Sequence, residues 1–442
     1  MNILVINGSP KGKYSITLQT VNYLSALHPE HTFEILHAGQ RVKTLEKDFS
    51  EAVSALQKAD LLLFAYPVYT FIAPCQLHRF IELVKASGVD LGGKFATQIT
   101  TSKHFYDVTA HAYVEENCKD LGLKYIRGLS ADMDDLLTKK GQKEARAFFE
   151  YVCFSMENDL YEPLPAARAP FVPAPVEVPE STGEKSGDVV IITDCDNPQL
   201  ESMIARFCAV LPLGTRVVNL REYPFGGGCL GCFNCATDGK CIYKDGFDTF
   251  LRERIQTADA IIYAFTVKDH SMGALFKMYD DRQFCNGHRT VTMGMPMGYL
   301  VCGDLASEPN LQTILTARAD VGSNFLCGVA TDANGIDAMA KKLCYALENK
   351  YVPPQTFYGI GGMKIFRDLI YLMRGMMKAD HKFYKQHGQY DFPQKKKGTV
   401  LKMYLVGALI SNKKIKAKMG NAMNEGMLAP YKKLLESVEK QK

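Results

Sequence analysis

The feature that most limits how this chain can fold is a stretch written twice. NILVINGSP from Asn2 aligns with DVVIITDCD from Asp188 at an offset of 186 residues, and HTFEILHAG from His31 aligns with TRVVNLREY from Thr215 at 184. KADLLLFAYPV from Lys58 aligns with TADAIIYAFTV from Thr257 at 199. Each run is short, apolar and followed by a helical pattern, which is the rhythm of a parallel α/β sheet covered on both faces. The repeat predicts two tandem doubly wound α/β sheets, each of strand order 2-1-3-4-5. The offset jumps by fifteen residues between the second and third strands, and FGGGCLGCFNCATDGKC lies in that gap. The second copy therefore carries a cysteine cassette at the carboxyl ends of its strands, where open α/β sheets place their chemistry.

Between the copies, EPLPAARAPFVPAPVEVPESTGEKSG holds six prolines and reads as an extended linker. The expected division is a first domain over 1–161, a linker over 162–187, a second domain over 188–354 and a helical tail over 355–442. That tail is basic, with 18 Lys and Arg against 6 Asp and Glu, while the rest of the chain holds 34 against 42. Its apolar and basic runs suit either packing on the acidic domains or docking to a membrane surface or an acidic redox partner.

The first copy carries a phosphate-type loop. After the strand ILVIN, GSPKGKYSITLQTV offers a turn at Gly8, hydroxyls on Ser9, Ser15 and Thr17, and a cation on Lys11, ahead of a helix N-terminus. The pattern G-x-x-x-x-G-K-[ST] is missing, so this is not a nucleoside-triphosphatase loop. The next loop, YPVYTFIAPCQLHRFIE, places Pro67, Val68 and Tyr69 where a stiff aromatic turn would lie against a flat heterocycle. A third, ITTSKHFY, adds Thr100, Thr101 and Ser102 as polar contacts. All three converge at the topological switch point of a 2-1-3-4-5 sheet.

NGSPKGKYSIT followed by PVYTFIAPCQLHRFIE resembles the flavodoxin-like NADPH-dependent FMN reductases, and CLGCFNCATDGKCIYKDGF resembles the cysteine run of the iron-sulfur flavoproteins in that group. The resemblance implies two flavodoxin-like domains, with FMN held by Ser9, Pro10, Lys11, Ser15, Thr17 and Pro67 to Tyr69. It also implies a [4Fe-4S] cluster on Cys229, Cys232, Cys235 and Cys241, and NAD(P)H as electron donor. The second copy departs from the flavin pattern: TDCDNPQ, with Asp194 and Asp196, replaces the phosphate loop, and Thr266 and Lys268 replace Pro67 and Tyr69. One flavin and one cluster, on different copies, is the expectation.

On spacing alone, C-x2-C-x2-C-x5-C wraps a short loop around a cuboidal cluster more readily than around zinc, whose sites usually pair two distant knuckles. Zinc, and thiols that bind nothing, stay open as alternatives. Thirteen cysteines and an opening MNILVINGSP that leaves no room for a secretion signal suggest a reducing, cytoplasmic setting. Neither the Ser-His-Asp set nor H-E-x-x-H occurs, so hydrolysis is not indicated. Nothing points to nucleic acid. The reading is a flavin-dependent electron-transfer oxidoreductase, with a small-molecule or protein redox partner and a possible homo-oligomer. The competing readings are an NAD(P)H-dependent FMN or quinone reductase without a cluster, and a non-catalytic zinc-stabilised binding module.

Overall fold

The computed structural model describes residues 1–165, 170–181, 185–414 and 422–440. Residues 166–169 and 182–184 of the expected linker, and 415–421, 441 and 442 of the tail, lie outside the described residues. The chain divides into two units, residues 1–383 and 384–442.

The first copy comprises β1 (Asn2–Asn7), α1 (Ile16–Leu27), β2 (Thr32–Leu36), α2 (Ala38–Leu45), α3 (Ser50–Lys58), β3 (Leu61–Pro67), α4 (Cys75–Ser87), β4 (Phe95–Ser102), α5 (Asp107–Asp120), β5 (Lys124–Tyr125), β6 (Leu129–Asp132) and α6 (Lys139–Glu157). The strands are parallel in the order β2-β1-β3-β4-β5, with β6 also pairing β4. The fifth position is thus filled by two short strands. They break near Gly128, which lies so close to Gln98 of β4 that a β-carbon would have no room. Alternation along the central strands builds two cores: Leu4, Ile6, Leu62 and Phe64 pack on one face, and Ile3, Val5, Leu61 and Leu63 on the other.

The second copy repeats the plan with β7 (Ser186–Thr193), α7 (Pro198–Val210), β8 (Leu213–Asn219), α8 (Phe247–Phe250), β9 (Ala260–Thr266), α9 (Gly273–Arg282), β10 (Pro296–Cys302), α10 (Pro309–Val321), β11 (Phe325–Ala330) and α11 (Ala333–Asn349). Its strand order is β8-β7-β9-β10-β11, the same 2-1-3-4-5. The cassette occupies the connection from β8 to α8. Beyond lie α12 (Phe357–Leu372), α13 (Lys378–Gln386), α14 (Lys397–Ser411) and α15 (Ala422–Glu439). The start of α12 is pinned to the second copy by Asp320, which accepts from Gly359 N at 2.6 Å, and to the first copy by Tyr106 Oη, which donates to Tyr358 O at 2.8 Å.

The copies dock through their equivalent helices, α4 and α9. Cys75 N donates to Asp281 Oδ2 at 2.8 Å, and Ala274 N donates to Glu82 Oε1 at 2.9 Å. Cys75 and Ala274 are equivalent under the 199-residue offset, and so are Glu82 and Asp281. Each helix therefore receives at its N-terminus a carboxylate from the C-terminal part of the other, where the helix dipole favours negative charge. This reciprocity of i with j and j with i is the mark of a two-fold interface, here formed within one chain.

Candidate functional site

The phosphate-type loop is built by its own backbone. Asn7 Nδ2 donates to Gly12 O at 2.9 Å, Ser9 N to Asn7 Oδ1 at 3.2 Å, and Lys11 N to Ser9 Oγ at 3.3 Å. Gly12, at φ 56°, takes the left-handed turn that lets the chain reach α1. Ser15 caps α1 by accepting from Leu18 N, so the earlier N–H groups of Ile16 and Thr17 are left at the helix mouth. Among the described residues no hydrogen bond satisfies them. A helix mouth with a buried Ser9, Ser15 and Thr17 around it and Lys11 beside it has the donor chemistry of a phosphate cradle. Thr17 Oγ1 and Thr101 Oγ1 share a hydrogen bond of 2.6 Å, which joins this loop to the end of β4. Of its neighbours there, Thr100 is held by His111 Nε2 at 2.7 Å, and Ser102 Oγ accepts from His104 N at 2.8 Å.

The loop after β3 closes in a two-residue hairpin. Tyr69 N donates to Ile72 O at 2.8 Å and Ile72 N returns to Tyr69 O at 3.2 Å. The two turn residues, Thr70 at φ 44° and Phe71 at φ 74°, are both left-handed, an unusual conformation for side chains this large. Packing holds it: Phe71 lies 4.5 Å from the Tyr106 ring and 5.1 Å from Phe105, and Thr109 Oγ1 donates to its carbonyl at 2.5 Å. The second copy repeats this strained turn, with Asp269 at φ 50° and His270 at φ 62° between Lys268 and Ser271. It does not repeat the phosphate loop. Only four residues separate β7 from α7, against eight between β1 and α1, and Pro198 removes an N–H from the helix mouth. Asp196 is paired with Arg221 at 2.5 Å, and burial pushes the Asp194 carboxyl up to about 6.

The cassette lies on these loops of the first copy. Gln76 Nε2 donates to Cys229 O at 3.1 Å, and Lys43 Nζ donates to Gly226 O at 2.7 Å. Gly231, at φ 59°, sits so close to Tyr69 Oη that a β-carbon would collide with it, and Gly228 stands in the same relation to Cys75 Sγ. Lys11 Nζ lies over the Phe233 ring at 5.3 Å. Burial, followed by the neighbouring Cys229, holds the Tyr69 phenol protonated. Thus Lys11 of the phosphate-type loop and Tyr69 of the loop after β3 both touch the cysteine loop.

Within the cassette, Cys232 is exposed while Cys229, Cys235 and Cys241 are partly buried. Gly231 N donates to Cys229 Sγ at 3.4 Å, and Cys235 Sγ donates to Phe284 O at 3.1 Å. Burial raises the thiols of Cys229 and Cys235, the latter to about 11. Among the described residues no three of these sulfurs lie within 4.8 Å of one another. Tetrahedral zinc, with Zn–S near about 2.3 Å, draws its sulfurs closer than that. A four-iron cuboid holds its ligating sulfurs farther apart, because the metal atoms fill the middle.

Helix α9 ties the parts together through KMYDDR, a segment whose role the sequence pattern did not disclose. Lys277, fully buried, donates to Tyr69 O at 2.9 Å and pairs with Asp280 and Asp281. Burial works to lower its pKa, but the two carboxylates outweigh burial and the net shift is upward. Arg282, also buried, donates from Nη1 to Gly227 O at 2.8 Å and grips Asp245 with both terminal nitrogens at 2.7 and 2.8 Å. Its guanidinium lies between the rings of Tyr243 at 4.5 Å and Phe247 at 4.9 Å. Cys75, which the apolar pattern marks only as a small core side chain, is indeed buried but at the docking surface between the copies.

Residues 1–135 match the family described as having the flavodoxin-like fold. That match covers the first copy and ends before the second. The chain is also similar to an iron-sulfur flavoprotein of Archaeoglobus fulgidus, 26% identical over 173 residues that cover 36% of this chain and 78% of that protein. An iron-sulfur flavoprotein of Clostridioides difficile is 24% identical over 139 residues, covering 28% of this chain and 61% of that protein, less than two thirds of its length. Among solved structures, general stress protein 14 of Treponema denticola in complex with FMN is 16% identical, with 35% of this chain and 99% of that chain covered and a TM-score of 0.29. An NADH:FMN oxidoreductase in its apo form is 21% identical, with 35% and 89% covered and a TM-score of 0.31. The flavodoxin-like first copy thus carries the loops that the cysteine cassette covers.

Proposed function

We propose that this chain is a flavin oxidoreductase in which FMN on the first copy exchanges electrons with a [4Fe-4S] cluster on the cassette of the second. The observation that carries this reading is the contact of the cassette with the flavin-type loops, at Gly231 against Tyr69 and Phe233 under Lys11. The names of the curated relatives, both iron-sulfur flavoproteins, support it.

In this reading Ser9, Pro10, Lys11, Ser15 and Thr17 hold the flavin phosphate, Pro67 to Tyr69 and Thr100 to Ser102 line the ring, and Cys229, Cys232, Cys235 and Cys241 hold the cluster. FMN, when bound, takes an electron pair from a donor such as NAD(P)H and gives electrons up singly, and a [4Fe-4S] cluster carries one at a time. The protein's part is placement. Lys11 and the helix mouth of α1 balance phosphate charge, the hairpin at Thr70 and Phe71 fixes the approach of Tyr69, and Lys277 and Arg282 hold that hairpin and the cassette to one helix.

Anaerobic purification followed by assay of iron, sulfide and flavin tests the proposal. Equal iron and sulfide with one FMN per chain is expected, and the pair Cys232→Ser and Cys235→Ser should lose the iron and keep the flavin. Zinc in place of iron, or flavin lost together with the iron in the variant, would overturn it.

A further inference from the structure

We infer that helices α14 and α15, with the lysines that flank α14, form an anchor for an anionic lipid surface, so that the chain works at a membrane face. Helix α14, KGTVLKMYLVGALIS, buries none of its residues, yet Val400, Leu401, Met403, Tyr404, Leu405 and Leu409 are all exposed. At 100° per residue these positions spread over about two thirds of the circumference, while the remaining sector holds Lys402 and the half-buried Val406 and Ile410. An exposed apolar face this wide exceeds the stripe that one packed helix would cover, and the interfacial zone of a bilayer takes it up.

Charge selects the kind of surface. Lys395, Lys396 and Lys397 stand at one end of α14 and Lys413 and Lys414 at the other. In a pairing of two such helices, parallel or antiparallel, lysines would face lysines. Anionic headgroups neutralise them instead, while the long lysine stems reach back from the apolar zone. Fifteen residues extend about 22 Å as a helix, short of the roughly 30 Å hydrocarbon core, and lysines at both ends keep both ends at headgroup level, so α14 lies along the surface and does not cross. No helix among the described residues is long and apolar enough to cross a membrane.

Helix α15 has the complementary pattern. Met427, Leu428, Tyr431, Leu434, Leu435 and Val438 are exposed and recur at helical spacing on one face. That is the stripe of a helix lying flat at a bilayer surface. Two helices lying along the surface, with lysines at the level of the headgroups, make a one-sided anchor.

The chain contains no tryptophan, so Tyr404→Trp places a single reporter on α14, at a position 75% exposed. The full chain carrying it is mixed with phosphatidylcholine vesicles, with and without about one-third phosphatidylglycerol, at low and at high salt. The emission should shift to the blue and be quenched by brominated acyl chains only with anionic vesicles, and binding should weaken with salt. Replacing Lys396, Lys397, Lys413 and Lys414 by Gln should lower the partition coefficient at least tenfold, each basic residue at an anionic surface contributing roughly fivefold. Leu401→Asp with Leu405→Asp should abolish the blue shift while the circular dichroism of the chain is unchanged. The inference is overturned by an emission that does not move with anionic vesicles, by equal binding to neutral ones, or by a tail-dependent dimer that ignores lipid.

Discussion

His270 offers the sharpest test of how the two copies are held together. Its Nε2 lies 2.9 Å from Asp120 Oδ2 in the first copy, and its Nδ1 lies 2.9 Å from Glu308 Oε2 in the second. A neutral imidazole has one N–H, so donation to two carboxylates requires the imidazolium. Burial works against the charge, but the hydrogen bonds to Asp120 and Glu308 outweigh it and raise the group from 6.5 to about 9. His270 and Glu308 are 13% and 10% exposed, so solvent screens that pair weakly, whereas Asp120 is 40% exposed and its half of the contact is screened. A folded pKa above the unfolded one stabilises fully below about pH 6.5, and that stability is lost as pH rises through about 9. The span of about 2.5 units corresponds to about 3 kcal/mol at most. Replacing His270 by Asn removes the charge while suiting the backbone, because Asn accepts the φ of 62° more readily than most residues. Wild type and His270→Asn should be unfolded in urea across pH 5 to 10. The stability gap should be widest near pH 6 and close toward pH 10. Below about pH 4 wild type should also weaken, since Asp120 is lowered to about 2 by its bonds to His270 and Lys85, in spite of its burial. A gap equal at pH 6 and pH 9.5 would refute the ion-pair account of this contact.

Lys277→Met should cost about 3 to 5 kcal/mol, because Asp281 would stay buried without its cation while Asp280 keeps Arg318, and adding Asp281→Asn should recover part of the loss in urea unfolding. Gly231→Ala combines a left-handed φ with a collision at Tyr69 Oη, so it should loosen the cassette and lower iron content per chain while FMN binding to the first copy persists. Ser9→Ala with Thr17→Ala should weaken FMN, each lost bond to the phosphate being worth roughly 1.5 to 3 kcal/mol, as read by fluorescence titration of the flavin-free protein. The same titration should saturate at one FMN per chain, because the loop after β7 is short and carries Asp194 and Asp196.

The repeat and its apolar runs were enough to write both sheets in the right order, because a strand buried on both faces advertises itself in consecutive residues such as Leu61 to Tyr66 and Ala260 to Phe265. The phosphate-type loop and the cassette were legible for a similar reason: their chemistry is local, carried by residues close together in the chain. The split of the fifth strand into β5 and β6 was not legible, since it depends on how closely Gly128 approaches Gln98. Nor was the part played by Lys277, Asp281 and Arg282. In the sequence KMYDDR reads as a charged helix end; Arg282 is buried by Asp245, Tyr243 and Phe247 of its own copy, and Lys277 and Asp281 lie where α9 meets α4 across the two copies. Cys75 and Gly228 look unrelated in sequence, 153 positions apart, yet they are in contact because the second copy turns its cassette onto the first. Local patterns record which backbone a residue prefers and whether it is to be buried. Which partner it is buried against is a property of the docked pair, and tertiary packing decides it.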